Sequence, residues 1–131
     1  MRSLGAQRDT GRVDRLFTVD EARALLAEIR GSLATFVEQR AAFAQLRWAL
    51  DHEPASADGG MAELKAFEAR LDALLAALGD HGIQVKGIAP LLLDFPATLD
   101  GQSVLLCWLE GDDALAWYHR AELGFLGRKP L

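Results

Sequence analysis

Only one cysteine, Cys107, occurs in the 131 residues, so no intramolecular disulfide can form. A chain without disulfides suits a reducing compartment, and the cytoplasm is the expected location. Long apolar runs are missing too. No segment approaches the roughly 18 consecutive apolar residues of a membrane span. The opening Met1-Arg2-Ser3-Leu4-Gly5-Ala6-Gln7-Arg8-Asp9 lacks the apolar stretch of a signal peptide. No membrane partner is expected. Basic charge is short: 14 Lys and Arg stand against 19 Asp and Glu, for a net charge of −5. Nucleic-acid binders gain affinity by neutralising phosphates with clustered cations, so this balance argues against a nucleic-acid partner. Proline is scarce, and none precedes Pro54, which leaves room for a long helix.

Half of the residues are apolar and a quarter charged, the composition of one globular domain spanning 1–131. Residues 1–15 read as a flexible polar arm carrying Arg2, Arg8, Arg12 and Arg15. Thr18-Val19-Asp20-Glu21 is a capping box, in which hydroxyl and carboxylate satisfy each other's backbone N–H, and it predicts a helix start. Apolar residues then recur every seven positions, Ile29, Phe36, Phe43 and Leu50, with Leu26 and Leu33 between them. This is a coiled-coil-like stripe. Arg40 and Arg47 fall on the same seam. Either their stems cover it while the guanidinium groups reach Glu63, Glu68 or solvent, or they set register against a second copy. The polar stretch from Asp51 to Gly60 predicts a connection, and Leu64, Phe67, Leu71, Leu74 and Leu78 predict a second helix stopped by Gly79 and Gly82. Residues 18–79 therefore read as a long antiparallel helical hairpin.

After Gly82 the period falls to two. Ile83–Val85, Leu91–Thr98, Gln102–Leu109 and Ala114–His119 read as strands of a β-meander over 83–119, with 120–131 as a tail. The fold class is α+β, a helical hairpin followed by a small three- to four-stranded antiparallel sheet. Asp100-Gly101 predicts a two-residue turn, which sets Leu99 opposite Gln102 and Asp94 opposite Cys107. A symmetric next turn sets Leu106 opposite Trp117 and Val104 opposite His119. By that count His119, Trp117 and Trp108 share the face of Phe95, while Asp94, Cys107 and Tyr118 share the other. Pro96, which lacks a ladder donor, predicts an edge or a break at its position.

Unlike titratable groups gather in the last third of the chain. Asp94, Cys107, Trp108, Trp117, His119, Glu122 and Arg128 are the candidate ligand-binding residues. Cys107 as thiolate can ligate a metal, and His119, Glu122 and Arg128 can supply a base, an acid and an anion clamp if the tail folds back. The plainer reading makes Cys107 a small buried hydrophobe and Asp94 an acceptor for backbone donors in a bend. His52 and His81 have no ligand partner one turn on, so no zinc motif is present. Nucleophile turns and phosphate-cradling glycine loops are also missing.

Phe17-Thr18, Glu21-Ala22, Leu25-Leu26, Val85-Lys86, Asp94-Phe95-Pro96, Gly101, Leu106-Cys107-Trp108, Gly111, Trp117, His119, Gly124-Phe125, Gly127-Arg128 and Pro130 together resemble the bacterial family called domain of unknown function 2203. The chain departs from that pattern at Ala27, where a Pro is common, and at Asp112, where a Glu is common. The resemblance implies the same fold and a polar set around Asp94, Cys107, Trp108, His119 and Arg128. It assigns no activity or cofactor.

Two functions are expected in competition. A hairpin too long for its sheet and an apolar second sheet face point to a non-enzymatic protein-interaction module acting as a homodimer. The polar residues of the last third point instead to a small-ligand or metal-binding protein, with hydrolase-like chemistry as an extension.

Overall fold

The computed structural model describes residues 15–53 and 59–131. The arm before Arg15 and residues 54–58 of the helix connection lie outside the described residues. Helix α1 (Val19–His52) opens on the capping box: Thr18 Oγ1 accepts from the Glu21 N–H at 3.0 Å, and Glu21 Oε1 from the Thr18 N–H at 2.9 Å. Helix α2 (Met61–Asp80) opens in a related way, the Gly60 N–H donating to Glu63 Oε1 at 2.6 Å. That bond holds the Glu63 carboxyl below its ordinary range. At its far end the Ile83 N–H reaches the Leu78 carbonyl at 3.2 Å and the Gly82 N–H the Gly79 carbonyl at 2.9 Å, with Gly82 at φ 90°. This is the Schellman stop, which needs a left-handed residue where glycine stands.

The described residues divide into two compact units, one holding 15–28 together with 77–131, the other 29–53 together with 59–76. In the second unit Ile29, Leu33, Phe36, Leu46 and Ala49 of α1 and Leu64 of α2 are buried. Gln39 Oε1 of α1 accepts from Arg70 Nε of α2 at 2.9 Å, one tie across the hairpin. Arg47 does not lie on the covered seam. Its side chain is 59% exposed and its Nε faces Asp51 Oδ2 at 3.8 Å, while Glu63 is turned to Gly60 and Glu68 to Lys65. At the end of α1 the buried residues are Leu46 and Ala49 rather than Arg47.

The first unit carries a five-stranded antiparallel sheet in chain order: β1 (Gln84–Ile88), β2 (Leu91–Leu99), β3 (Gln102–Leu109), β4 (Trp117–Arg120) and β5 (Lys129–Pro130). The two-residue β5 adds one strand to the expected three or four. It pairs Lys129 with Tyr118 and Pro130 with Trp117. The β2–β3 hairpin has the register set by its turn, Leu99 opposite Gln102, Phe95 opposite Leu106 and Asp94 opposite Cys107, with Asp100 at φ 51° and Gly101 at φ 78°. Pro96 sits in the middle of β2 without breaking it. Its carbonyl accepts from the Phe17 N–H at 2.7 Å, and β1 has ended at the Gln84–Asp94 pair, so its missing donor falls on the strand side that β1 leaves open.

The β3–β4 register differs from expectation by one residue. Leu105, not Val104, faces His119, and Cys107, not Leu106, faces Trp117. The cause is Asp112. Its carboxylate accepts from the Leu109 N–H at 3.0 Å, and its N–H donates to the Leu109 carbonyl at 2.8 Å. Leu109 is thereby spent on the turn, pairing starts at Cys107, and the loop is longer than a symmetric one. Since faces alternate, the slip exchanges them: Trp117 and His119 join Asp94 and Cys107, and Tyr118 goes to the face of Phe95 and Leu106. That latter face is the core of the unit, where Leu93, Phe95, Leu106 and Trp108 are buried and Phe17 meets Phe95 edge-on at 5.3 Å.

Candidate functional site

Three adjacent strands each contribute one buried polar side chain to the face away from Phe95. Asp94 of β2 is 1% exposed, Cys107 of β3 is fully buried and His119 of β4 is 3% exposed. One ligand-capable atom from each lies within 4.8 Å of the other two. His119 Nε2 is 3.2 Å from Asp94 Oδ1. The other ring nitrogen, Nδ1, is 2.9 Å from the Arg120 carbonyl, which only accepts, so Nδ1 carries the hydrogen. With Nδ1 as the donor to that carbonyl, the contact of Nε2 with the carboxylate oxygen is bridged either by a proton or by a metal cation.

Lys86 reaches the same carboxylate from β1. It is the extra residue at the bulge between Val85 and Gly87, and its Nζ lies 3.0 Å from Asp94 Oδ2. Bulges commonly re-aim a side chain in this way. From the other side comes the tail. Arg128, between the short 3₁₀ turn Phe125–Gly127 and β5, donates to Asp112 Oδ2 at 3.2 Å and reaches Cys107 Sγ at 3.8 Å. Its guanidinium lies 4.7 Å from the Trp117 ring centroid and 4.9 Å from that of Phe125. Burial is the main reason the Cys107 thiol is pushed up to about 11, with the Asp94 charge adding and Arg128 opposing. At neutral pH the group is a thiol. A nucleophilic cysteine needs the opposite shift, so the arrangement suits ligation by a metal able to displace the proton better than covalent catalysis.

The structure thus brings Asp94, Cys107, His119, Trp117 and Arg128 together. Trp108 lies on the core face, its Nε1–H donating to the Asp112 carbonyl at 3.0 Å. Glu122 pairs with Arg120 at 2.8 Å, with 64% of its side chain exposed, and takes no part. Lys86 and Asp112 belong to the cluster although sequence reasoning did not select them. The Val85-Lys86 pair and the departure at Asp112 were visible, but a bulge and a side-chain-to-backbone bond leave no periodic trace.

A family model described as Uncharacterized conserved protein (DUF2203) matches residues 15–131. The chain belongs to this family. Every residue of the cluster, from Lys86 to Arg128, falls inside the matched region. No curated protein and no solved structure matches the chain. Among the described residues no helix is long and apolar enough to cross a membrane.

Proposed function

We propose that this chain is a metal-binding protein that holds one zinc-class divalent ion on Asp94, Cys107 and His119. The observation that carries the reading is the 3.2 Å approach of His119 Nε2 to Asp94 Oδ1. Two ligands at about 2.0–2.1 Å from a tetrahedral zinc lie about 3.3–3.4 Å apart, so this pair is already spaced as ligands. Cys107 Sγ, within 4.8 Å of the other two donor atoms, supplies the third donor. The Nδ1–H of His119 on a backbone carbonyl is the outer contact that metal-bound histidines typically keep, fixing tautomer and ring plane. Mixed sulfur, nitrogen and oxygen donors in a set of three suit zinc with one open position, the arrangement of reactive rather than purely structural sites. Placement in the cytoplasm belongs to the proposal, because Cys107 has to remain reduced. Elemental analysis of tag-free protein purified without chelator should give about one zinc-class ion per chain. A metal-free protein that also fails to take up added zinc overturns the reading.

A second reading, a protein-interaction module acting as a homodimer through the helical hairpin, is supported by apolar exposure in the helical unit. Trp48 is 54% and Met61 61% exposed. Sedimentation at high micromolar concentration tests it: a dimer supports the reading and a strict monomer removes it.

A further inference from the structure

We infer that the fourth position of the ion on Asp94, Cys107 and His119 takes a small oxyanion, clamped between Lys86 and Arg128; the inference rests on the metal reading above. The three donors are almost wholly buried, whereas the groups flanking them are not. Lys86 keeps 43% of its side chain exposed, Arg128 13% and Asp112 21%. The solvent-facing charged groups beside the three donors are therefore Lys86, Arg128 and Asp112. Charge points the same way. A thiolate and a carboxylate offset a divalent ion, and Asp112 offsets one of the two cations, which leaves one positive charge beside the ion.

Geometry makes the clamp specific. Lys86 holds Oδ2 of Asp94 while Oδ1 is the oxygen turned to His119, so a metal taken by Oδ1 leaves the Lys86 contact in place. Arg128 is pre-placed against the Trp117 and Phe125 rings, anchored through one nitrogen to Asp112, with the other aimed at Cys107 Sγ at 3.8 Å. That second nitrogen can be offered to an incoming oxygen at little cost, since N–H to sulfur contacts of this length are weak. A guanidinium fork beside a point-charge ammonium matches the oxygens of a phosphate or carboxylate group.

The test uses the full chain loaded anaerobically with cobalt(II) alone, whose visible bands report the ligand set, followed by titration with inorganic phosphate and, separately, acetate. The bands should form before any anion is added and then shift saturably. Phosphate acting at lower concentration assigns a phosphoryl ligand, and acetate a carboxylate. In Arg128→Gln and in Lys86→Gln the bands should still form, while the half-saturating anion concentration rises about tenfold or more, as expected for a lost charge-assisted hydrogen bond. Arg128→Lys, which keeps the charge, should fall between. Bands that form but ignore both anions, or that shift equally in wild type and both glutamine variants, overturn the clamp and leave the metal reading standing. No bands before anion addition overturns the metal reading and the clamp with it.

Discussion

Asp94 and His119 meet across an intervening strand. Their side chains, on β2 and β4, approach to 3.2 Å over Cys107 of β3, with both partners at least 97% buried. Neither residue has solvent to replace the other. Asp94→Ala should lower stability by about 3 kcal/mol or more, because it leaves buried polar groups uncompensated. Urea unfolding monitored by circular dichroism measures it. A loss under about 1 kcal/mol would mean that the pair carries no structural weight.

Stability of the metal-free protein should depend on alkaline pH through Cys107. The thiol is raised from 9.0 to about 11 in the folded state, so its neutral form is the favoured one there. The contribution is fully present below pH 9 and is lost as the unfolded chain ionises first, up to about pH 11. Two pH units correspond to about 2–3 kcal/mol. Unfolding midpoints of wild type should fall across that window more steeply than those of Cys107→Ala. Parallel curves would contradict the assigned burial.

The start of α1 rests on a reciprocal pair of bonds between Thr18 and Glu21. Thr18→Ala should cost about 1 kcal/mol, and Thr18→Ser much less. Thermal denaturation of the two variants separates cap loss from loss of the methyl group.

Arg47 should be dispensable to stability. Its contact with Asp51 is long and both side chains are largely exposed, so Arg47→Ala should change unfolding free energy by less than about 0.5 kcal/mol. A cost of 2 kcal/mol or more would return Arg47 to the helical seam.

What the sequence discloses here is what short-range chemistry decides. The capping box needs four consecutive residues, and the Asp100-Gly101 turn fixes the whole β2–β3 register because both positions must take positive φ. The β3–β4 register fails to follow from pattern because Asp112 takes up the Leu109 backbone, an event indistinguishable by periodicity from an ordinary turn. That one-residue slip hid the candidate site, separating His119 from Asp94 on paper. Lys86 was hidden by the bulge that aims it. Arg128 was legible as a charged residue in the tail, but its partners Asp112, Trp117 and Phe125 depend on β5, two residues too short to show a strand pattern.

The measurement closest to the central claim is a competition titration of zinc(II) against a chromophoric chelator, with calorimetry in buffers of different ionisation enthalpy to count protons. One ion per chain is predicted, with at least one proton released near neutral pH from Cys107 and apparent affinity rising with pH. His119→Ala and Cys107→Ala should each weaken binding at least a hundredfold. Zinc binding that is absent, or that is equal in wild type and both variants, contradicts a metal site at Asp94, Cys107 and His119.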